Sequence, residues 1–377
     1  MTTSFPVSNP RVATLPTYEA GRPIEDVARE LGIEDLTEIV KLASNENALG
    51  PSPQACEAMH AAVANMHLYP DGGTHALRHA VSESLAVNPD QVLPGNGSNE
   101  LLELLGHVYL GTGTNIVMAD CAFIVYRLIA AGAGADVIDV AMSGFTHDLD
   151  AMCDAITPET RIVFVSNPNN PTSTAVDPDA IARYMARVPD HVLTCFDEAY
   201  VELLPTGQQP DTLRYVREGR SVIVLRTFSK TYGLAGLRVG YGIAPAAVIE
   251  LLNRVRQPFN VNAMAQCAAI AALGDMQHVE RTRTLVCAGI AQLGAGFDRL
   301  GLNFVPAVAN FVLVKVGKGR AVFDAMRRKG VIVRPMDAYG LPEYVRVSVG
   351  SASENERALD VLADVLETSA SNDGVSS

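Results

Sequence analysis

Apolar and polar positions along the chain fall into two textures. After residue 86, short continuous apolar runs rich in β-branched residues alternate with amphipathic stretches. The runs are NIVMA (115–119), DVIDV (136–140), RIVFVS (161–166), HVLTCFD (191–197), SVIVLR (221–226) and RVGYGIA (238–244). Between them lie segments such as VDPDAIARYMARV (176–188), with apolar residues at helical spacing. Continuous apolar strands separated by helices predict a mainly parallel sheet covered on both faces, an α/β fold. In such sheets ligands sit beyond the carboxyl ends of the strands.

The flanks read differently. A polar, Pro-containing start leads to a short helical piece, PIEDVARELG (23–32), then to a helix over 53–66, a YPDGG turn (69–73) and a helix over 74–86. Beyond Pro245, long Ala/Leu/Arg-rich helical stretches run to about residue 300. The strands NFVLVKV (310–316), GVIVR (330–334) and EYVRVSVG (343–350) follow, then a final helix, SENERALDVLADVLETS (353–369). The predicted organisation is an N-terminal arm (1–44), a large α/β domain (45–260), a smaller α+β domain (261–368) and a disordered tail (369–377).

A length of 377 residues agrees with two domains. A net charge of −13 disfavours nucleic acid or an anionic membrane as a partner, so an anionic ligand must be held by a few placed arginines. The six cysteines form no CxxC pair and no zinc spacing, so no metal site is expected; buried reduced thiols explain them. The start lacks the apolar core of a signal peptide, and no run approaches the roughly 20 apolar residues of a membrane span. The cytoplasm is the expected location.

Candidate chemistry falls at successive strand ends. GNGSNELLELL (95–105) is a glycine turn entering a helix, with Ser98 near the cap; free N–H groups there suit a phosphate, although an ordinary capped helix explains the pattern as well. SNPNNPTS (166–173) reads as a plain turn, or as one that presents Asn170 to a ligand oxygen. In FDEAYVEL (196–203), Asp197 either caps the next segment or wants a cationic partner, and Tyr200 can face the same pocket. In RTFSKTYGLAGLRVGYG (226–242), Lys230 is either a mobile surface group or an amine able to condense with an aldehyde. Thr227, Ser229 and Arg238 add phosphate donors.

Taken in this order, the segments describe one ligand. Lys230 takes an aldehyde, and Gly97, Ser98, Asn99, Ser229 and Arg238 take a phosphate. Asn170 and Tyr200 take a phenolic oxygen, and Asp197 pairs with a protonated ring nitrogen. That ligand is pyridoxal 5′-phosphate.

With these motifs, together with LASNENALGPSP, YPDGG, GVIVRPM and YVRVSVG, the chain resembles the fold-type I, aspartate-aminotransferase-like enzymes over nearly its whole length. Within them it is most similar to the histidinol-phosphate aminotransferases. The resemblance implies that Phe123 in DCAFIVY stacks on the cofactor ring where the family usually has Tyr. It implies that Tyr69 reaches the cofactor phosphate of a neighbouring subunit, which makes a homodimer part of the site. It implies that Arg346 and Arg334 bind the anionic ends of substrates, and that Tyr18 and Asn45 are arm and substrate-side contacts. Ser173 replaces the usual glycine after NPT, and Cys121 and Ala122 stand where proline is common.

The implied reaction is transamination of L-histidinol phosphate with 2-oxoglutarate, with Lys230 as general base. The rivals are an aromatic amino-acid aminotransferase, a decarboxylase of phosphothreonine type and a non-catalytic binding protein.

Overall fold

The protein is described by a computed structural model over residues 10–13, 15, 22–205 and 207–373. The first strand is short, β1 (Val40–Lys41). Seven more, β2 (Val92–Gly95), β3 (Asn115–Ala119), β4 (Asp136–Val140), β5 (Thr160–Ser166), β6 (Leu193–Asp197), β7 (Val222–Thr227) and β8 (Gly240–Ile243), form one sheet in the order β2-β8-β7-β6-β5-β3-β4. The pairs from β4 through β7 are parallel, and β8 runs antiparallel to both neighbours.

Apart from the edge strand β4, whose residues before Val140 are exposed or half-buried, the apolar runs are buried on both faces, as continuous rather than alternating patterns require. In β5, Val163 and Val165 join one core, with Val224 and the helix residues Leu77 and Val81. Ile162 and Phe164 join the opposite core, with Leu101, Leu105 and Tyr126. From β3 the chain steps outward to β4 and returns to β5 on the other side of β3. That reversal opens a crevice at the carboxyl ends.

β2 escapes sequence reading. It is four residues, VLPG, and its Pro94 and Gly95 look like a turn. Proline is tolerated there because β2 is an edge strand.

The smaller domain is built on β9 (Phe311–Lys315), β10 (Val331–Ile332), β11 (Arg334–Pro335) and β12 (Tyr344–Ser348). The order β11-β12-β9 is antiparallel, while β10 pairs with β1. The run GVIVR is therefore two strands with different partners, not one.

The expected domain boundaries need three changes. Val27, Ala28, Ile39, Val40, Leu42 and Ala43 are buried in the core of the smaller domain, so the stretch 27–43 is not a detached arm. The helix Ala263–Gly274 packs on the helix Pro53–Ala62 and belongs to the large domain. The helix Met276–Arg299 then serves both, with Val279 in one core and Leu293 and Phe297 in the other. At the far end, the last helix, Ala352–Asp373, continues into the segment expected to be a disordered tail.

Ser52 ties two helix starts of the large domain together. Its fully buried hydroxyl caps the helix Pro53–Ala62 and donates to Asp275 Oδ2 at 2.7 Å, and Asp275 caps the helix Met276–Arg299. Ser52→Ala removes one cap and leaves Asp275 Oδ2 without its donor. We expect a loss of about 1–2 kcal/mol in urea unfolding. An unchanged midpoint would show that this junction contributes nothing.

Candidate active site

The crevice at the sheet's carboxyl edge opens into a cavity of about 290 Å³ closed on the far side by the smaller domain. Asn45, Ser98, Asn99, Phe123, Asn170, Asp197, Tyr200, Thr227, Ser229, Lys230, Arg238, Arg334 and Arg346 line it. Gly97 lies just behind this wall, Tyr69 lies elsewhere, and Tyr18 falls outside the described residues.

Asp197 ends β6 and is buried. Its Oδ2 accepts from the Tyr126 hydroxyl at 2.7 Å, while its Oδ1 has no hydrogen-bond partner. Burial pushes its pKa up to about 6, against the opposing hydrogen bonds from Tyr126 and the Ala199 backbone. The next residue makes the contrast. Glu198 is equally buried, yet its Oε2 receives Arg226 Nε at 3.0 Å and Nη2 at 2.8 Å, and its Oε1 accepts from Thr212. Of two adjacent buried carboxylates, one has a guanidinium and the other has no ion pair among the described residues.

Lys230 follows β7 and reaches across the cleft. Its Nζ donates to the Ser44 carbonyl at 3.0 Å and lies 5.8 Å from the centre of the Tyr200 ring. Burial, helped by the Arg346 charge and opposed by Glu46, lowers the ammonium pKa to about 8. A useful fraction of neutral amine is thus present near pH 8.

The Tyr200 hydroxyl accepts from Asn45 Nδ2 at 3.0 Å, and burial pushes its pKa up to about 12. Asn45 holds a left-handed conformation (φ +55°) and is pinned by Ser348, which accepts from its N–H and donates to its Oδ1, both at 2.9 Å. Its side chain thereby links β12 of the smaller domain to Tyr200.

At one end of the cavity, the helix Ser98–Tyr109 points its N-terminus inward. Gly97, not Ser98, takes the cap position, because φ there is +78°. A Cβ at Gly97 would sit 2.7 Å from Arg238 Nη2, and one at Gly240 would sit 2.6 Å from the Ser98 nitrogen. Arg238 Nη1 donates to the Ala235 carbonyl at 3.0 Å and lies 3.5 Å from Ser229 Oγ. Helix N–H groups beside a guanidinium suit a phosphate.

At the other end stand Arg346 and Arg334, directly opposite each other across the β11–β12 pair. Like charges in that register repel, an arrangement that suits an anion between them. Arg346 also donates to the Ala43 carbonyl at 2.8 Å and to Asn170 Oδ1, which leaves the Asn170 amide as its remaining donor.

Two departures from the family pattern find physical accounts. Ser173 has φ +63°, which explains the usual glycine. Its hydroxyl accepts from the Ala309 and Val308 N–H groups at 2.8 and 3.2 Å, tying this turn to the smaller domain. Cys121 is buried and its thiol pKa is pushed up to about 12, so it is inert.

Tyr69 is 82 % exposed and stacks on Phe259, with ring centres 4.7 Å apart. Among the described residues no His/Cys/Asp/Glu cluster could hold a metal.

Sequence reasoning missed Tyr126, Ser166, Glu46 and Tyr339. The last three line the cavity: Ser166 and Glu46 sit inside the motifs SNPNNPTS and LASNENALGPSP beside more conspicuous residues, and Tyr339 ends a short 3-10 turn, Asp337–Tyr339, that carries no motif. Tyr126 sits in an apolar helical stretch, where its spacing looks like ordinary core.

The model of aminotransferase class I and II matches residues 37–362. A histidinol-phosphate aminotransferase of Akkermansia muciniphila is 49 % identical over 360 residues, covering 95 % of this chain and 98 % of that protein. Histidinol-phosphate aminotransferase 2 of Pseudomonas aeruginosa is 47 % identical, covering 96 % and 98 %. The crystal structure of the Sinorhizobium meliloti histidinol-phosphate aminotransferase in complex with pyridoxal-5′-phosphate superposes with a TM-score of 0.88 at 26 % identity, covering 98 % of this chain and all of that one.

Asp197 yields a stability test. Its carboxyl ionises near 3.8 when unfolded and near 6 when folded, so the folded state is penalised as pH rises between those values and stays penalised above them. Asp197→Asn should therefore stabilise the ligand-free protein at pH 8, on the order of 2–3 kcal/mol, with the gain vanishing toward pH 4. A ligand-free variant no more stable than its parent at pH 8 would mean that this carboxylate carries no such penalty.

Proposed function

The chain belongs to aminotransferase class I and II, and we propose that its cleft transfers the amino group of L-histidinol phosphate to 2-oxoglutarate, giving imidazole-acetol phosphate and glutamate in histidine biosynthesis. The cofactor is pyridoxal 5′-phosphate. The observation that carries the reading is Asp197 Oδ1, a buried acceptor with no partner, on the strand next to a lysine of depressed basicity. A pyridinium nitrogen is the cation that fits the first, and an aldehyde the electrophile that fits the second.

When bound, the cofactor supplies an electron sink for the charge left at the substrate α-carbon. Lys230 Nζ would hold the cofactor's aldehyde carbon, and as a free amine it would move the proton at the substrate α-carbon as general base and acid. Asp197 keeps the ring nitrogen protonated. The helix start at Gly97, Ser98 and Asn99, with Thr227, Ser229 and Arg238, holds the phosphate. The Asn170 amide and the Tyr200 hydroxyl would hold the phenolic oxygen, and the Phe123 face would hold the ring. Asn45 acts by holding Tyr200. Arg334 and Arg346 bind the substrate phosphate in one half-reaction and the keto acid's carboxylate in the other.

The paired arginines favour histidinol phosphate, whose one anionic group is a phosphate of up to two negative charges, over phenylalanine, whose one anionic group is a singly charged carboxylate. We expect kcat/KM to favour histidinol phosphate by at least about tenfold, and Lys230→Ala to abolish turnover with either donor. Equal specificity constants would make this an aromatic aminotransferase, and a normally active Lys230→Ala variant would end the assignment of that lysine.

A second copy of the chain completes the reading. Tyr69 lies with Leu68 (60 % exposed) and Phe259 (45 %) on an outward apolar patch, and in the proposed homodimer it reaches the partner's cofactor phosphate. Sedimentation should show a dimer at assay concentration; a fully active monomer would exclude this arrangement. No helix among the described residues is long and apolar enough to cross a membrane. We place the enzyme in the cytoplasm with its soluble substrates.

A further inference from the structure

We propose that Tyr126 is a positioning residue that braces Asp197 so that a single carboxylate oxygen faces the cofactor ring. The proposal rests on the reading of the cleft as a pyridoxal phosphate site and goes beyond it by naming what orients the ring's counter-charge.

Tyr126 is fully buried and lies outside the cavity wall, so it touches neither cofactor nor substrate. Its hydroxyl donates to Asp197 Oδ2 at 2.7 Å. Burial holds the phenol far above its ordinary pKa, so it remains a proton donor at every working pH. The ring cannot swing away. It lies flat on Phe164 of β5, with centres 4.4 Å apart and planes 2° from parallel, and meets the Phe123 ring edge-on at 5.7 Å.

A buried carboxylate with one oxygen so fixed has one oxygen left, and Oδ1 is that atom. The brace also favours the ionised carboxylate against the burial that opposes it. Glu198, Cys195 and Tyr200, the other titratable groups near Asp197, are acids and lend it no positive charge.

Phe123 and Tyr126 are three residues apart at the start of the helix Val125–Ala133. One helix entry thus carries both the face that stacks on the ring and the donor that sets the ring's counter-charge. Movement of this entry shifts both together.

A double-mutant cycle tests the coupling, read as the equilibrium dissociation constant of pyridoxal 5′-phosphate from the purified protein. Tyr126→Phe keeps the ring and its packing and removes only the hydroxyl. We expect it to weaken binding by about tenfold in the parent and to add nothing in an Asp197→Ala background, where no carboxylate remains to be braced. Unchanged affinity for Tyr126→Phe would overturn the proposal. So would an equal loss in both backgrounds, which would mark Tyr126 as a packing residue. A parent that binds no pyridoxal 5′-phosphate would instead bring down the reading of the cleft, and this proposal with it.

Discussion

A carboxylate taken out of water without a cation is the constraint around which the large domain is arranged. Asp197 sits at the end of a central strand, hydrogen-bonded by a phenol and a backbone amide, with one oxygen unanswered. Folding alone does not favour this, because an unpaired buried charge is among the more costly features a core can hold. The chain has the means to neutralise such a group, as Glu198 and Arg226 show one residue away. Its failure to do so at Asp197 is what the proposed pairing with a cation that arrives with the ligand requires. The lysine of lowered basicity, the helix start aimed inward and the opposed arginines then become parts of one charge pattern: negative at the ring nitrogen, positive at both ends.

That pattern depends on two domains meeting correctly. Lys230 donates to the Ser44 carbonyl, Arg346 to the Ala43 carbonyl, and Asn45 joins Ser348 to Tyr200. Residues 43–45 are thus a seam on which groups from both domains converge. The strained backbone of Asn45, held by Ser348 and by Asn310, which donates to its carbonyl at 3.0 Å, marks where the smaller domain sets the geometry of a residue facing the cofactor side. In a protein of net charge −13, the two opposed arginines form a local concentration of positive charge, of the kind that suits an anion.

Much of this was legible in the chain. The strands β3, β5, β6 and β7 could be read because parallel strands buried on both faces are continuous apolar runs, and Asn170, Asp197 and Lys230 lie at or just beyond the carboxyl ends of the last three. Where reading failed, long-range packing had overruled local pattern. VLPG looks like a turn until β8 pairs with it. GVIVR looks like one strand until β1 and β12 each claim part of it. The helix Met276–Arg299 carries no mark where one core hands over to the other. Tyr126 was invisible because a tyrosine at helical spacing among apolar neighbours is ordinary core; only its hydroxyl's partner, seventy-one residues away in sequence, distinguishes it.

The helix shared by the two cores has a mechanical meaning. Its 24 residues make a rod of about 36 Å, seated at one end beneath the sheet and at the other among the smaller domain's strands. Neither half can be excised as an autonomous fragment, since any cut near residue 260 strips the large domain of the helix packed on Pro53–Ala62 and leaves the remainder with a strut whose first turns have lost their seat. Thermal melting should thus proceed as one concerted event, and relative motion of the domains is confined to rocking about that strut.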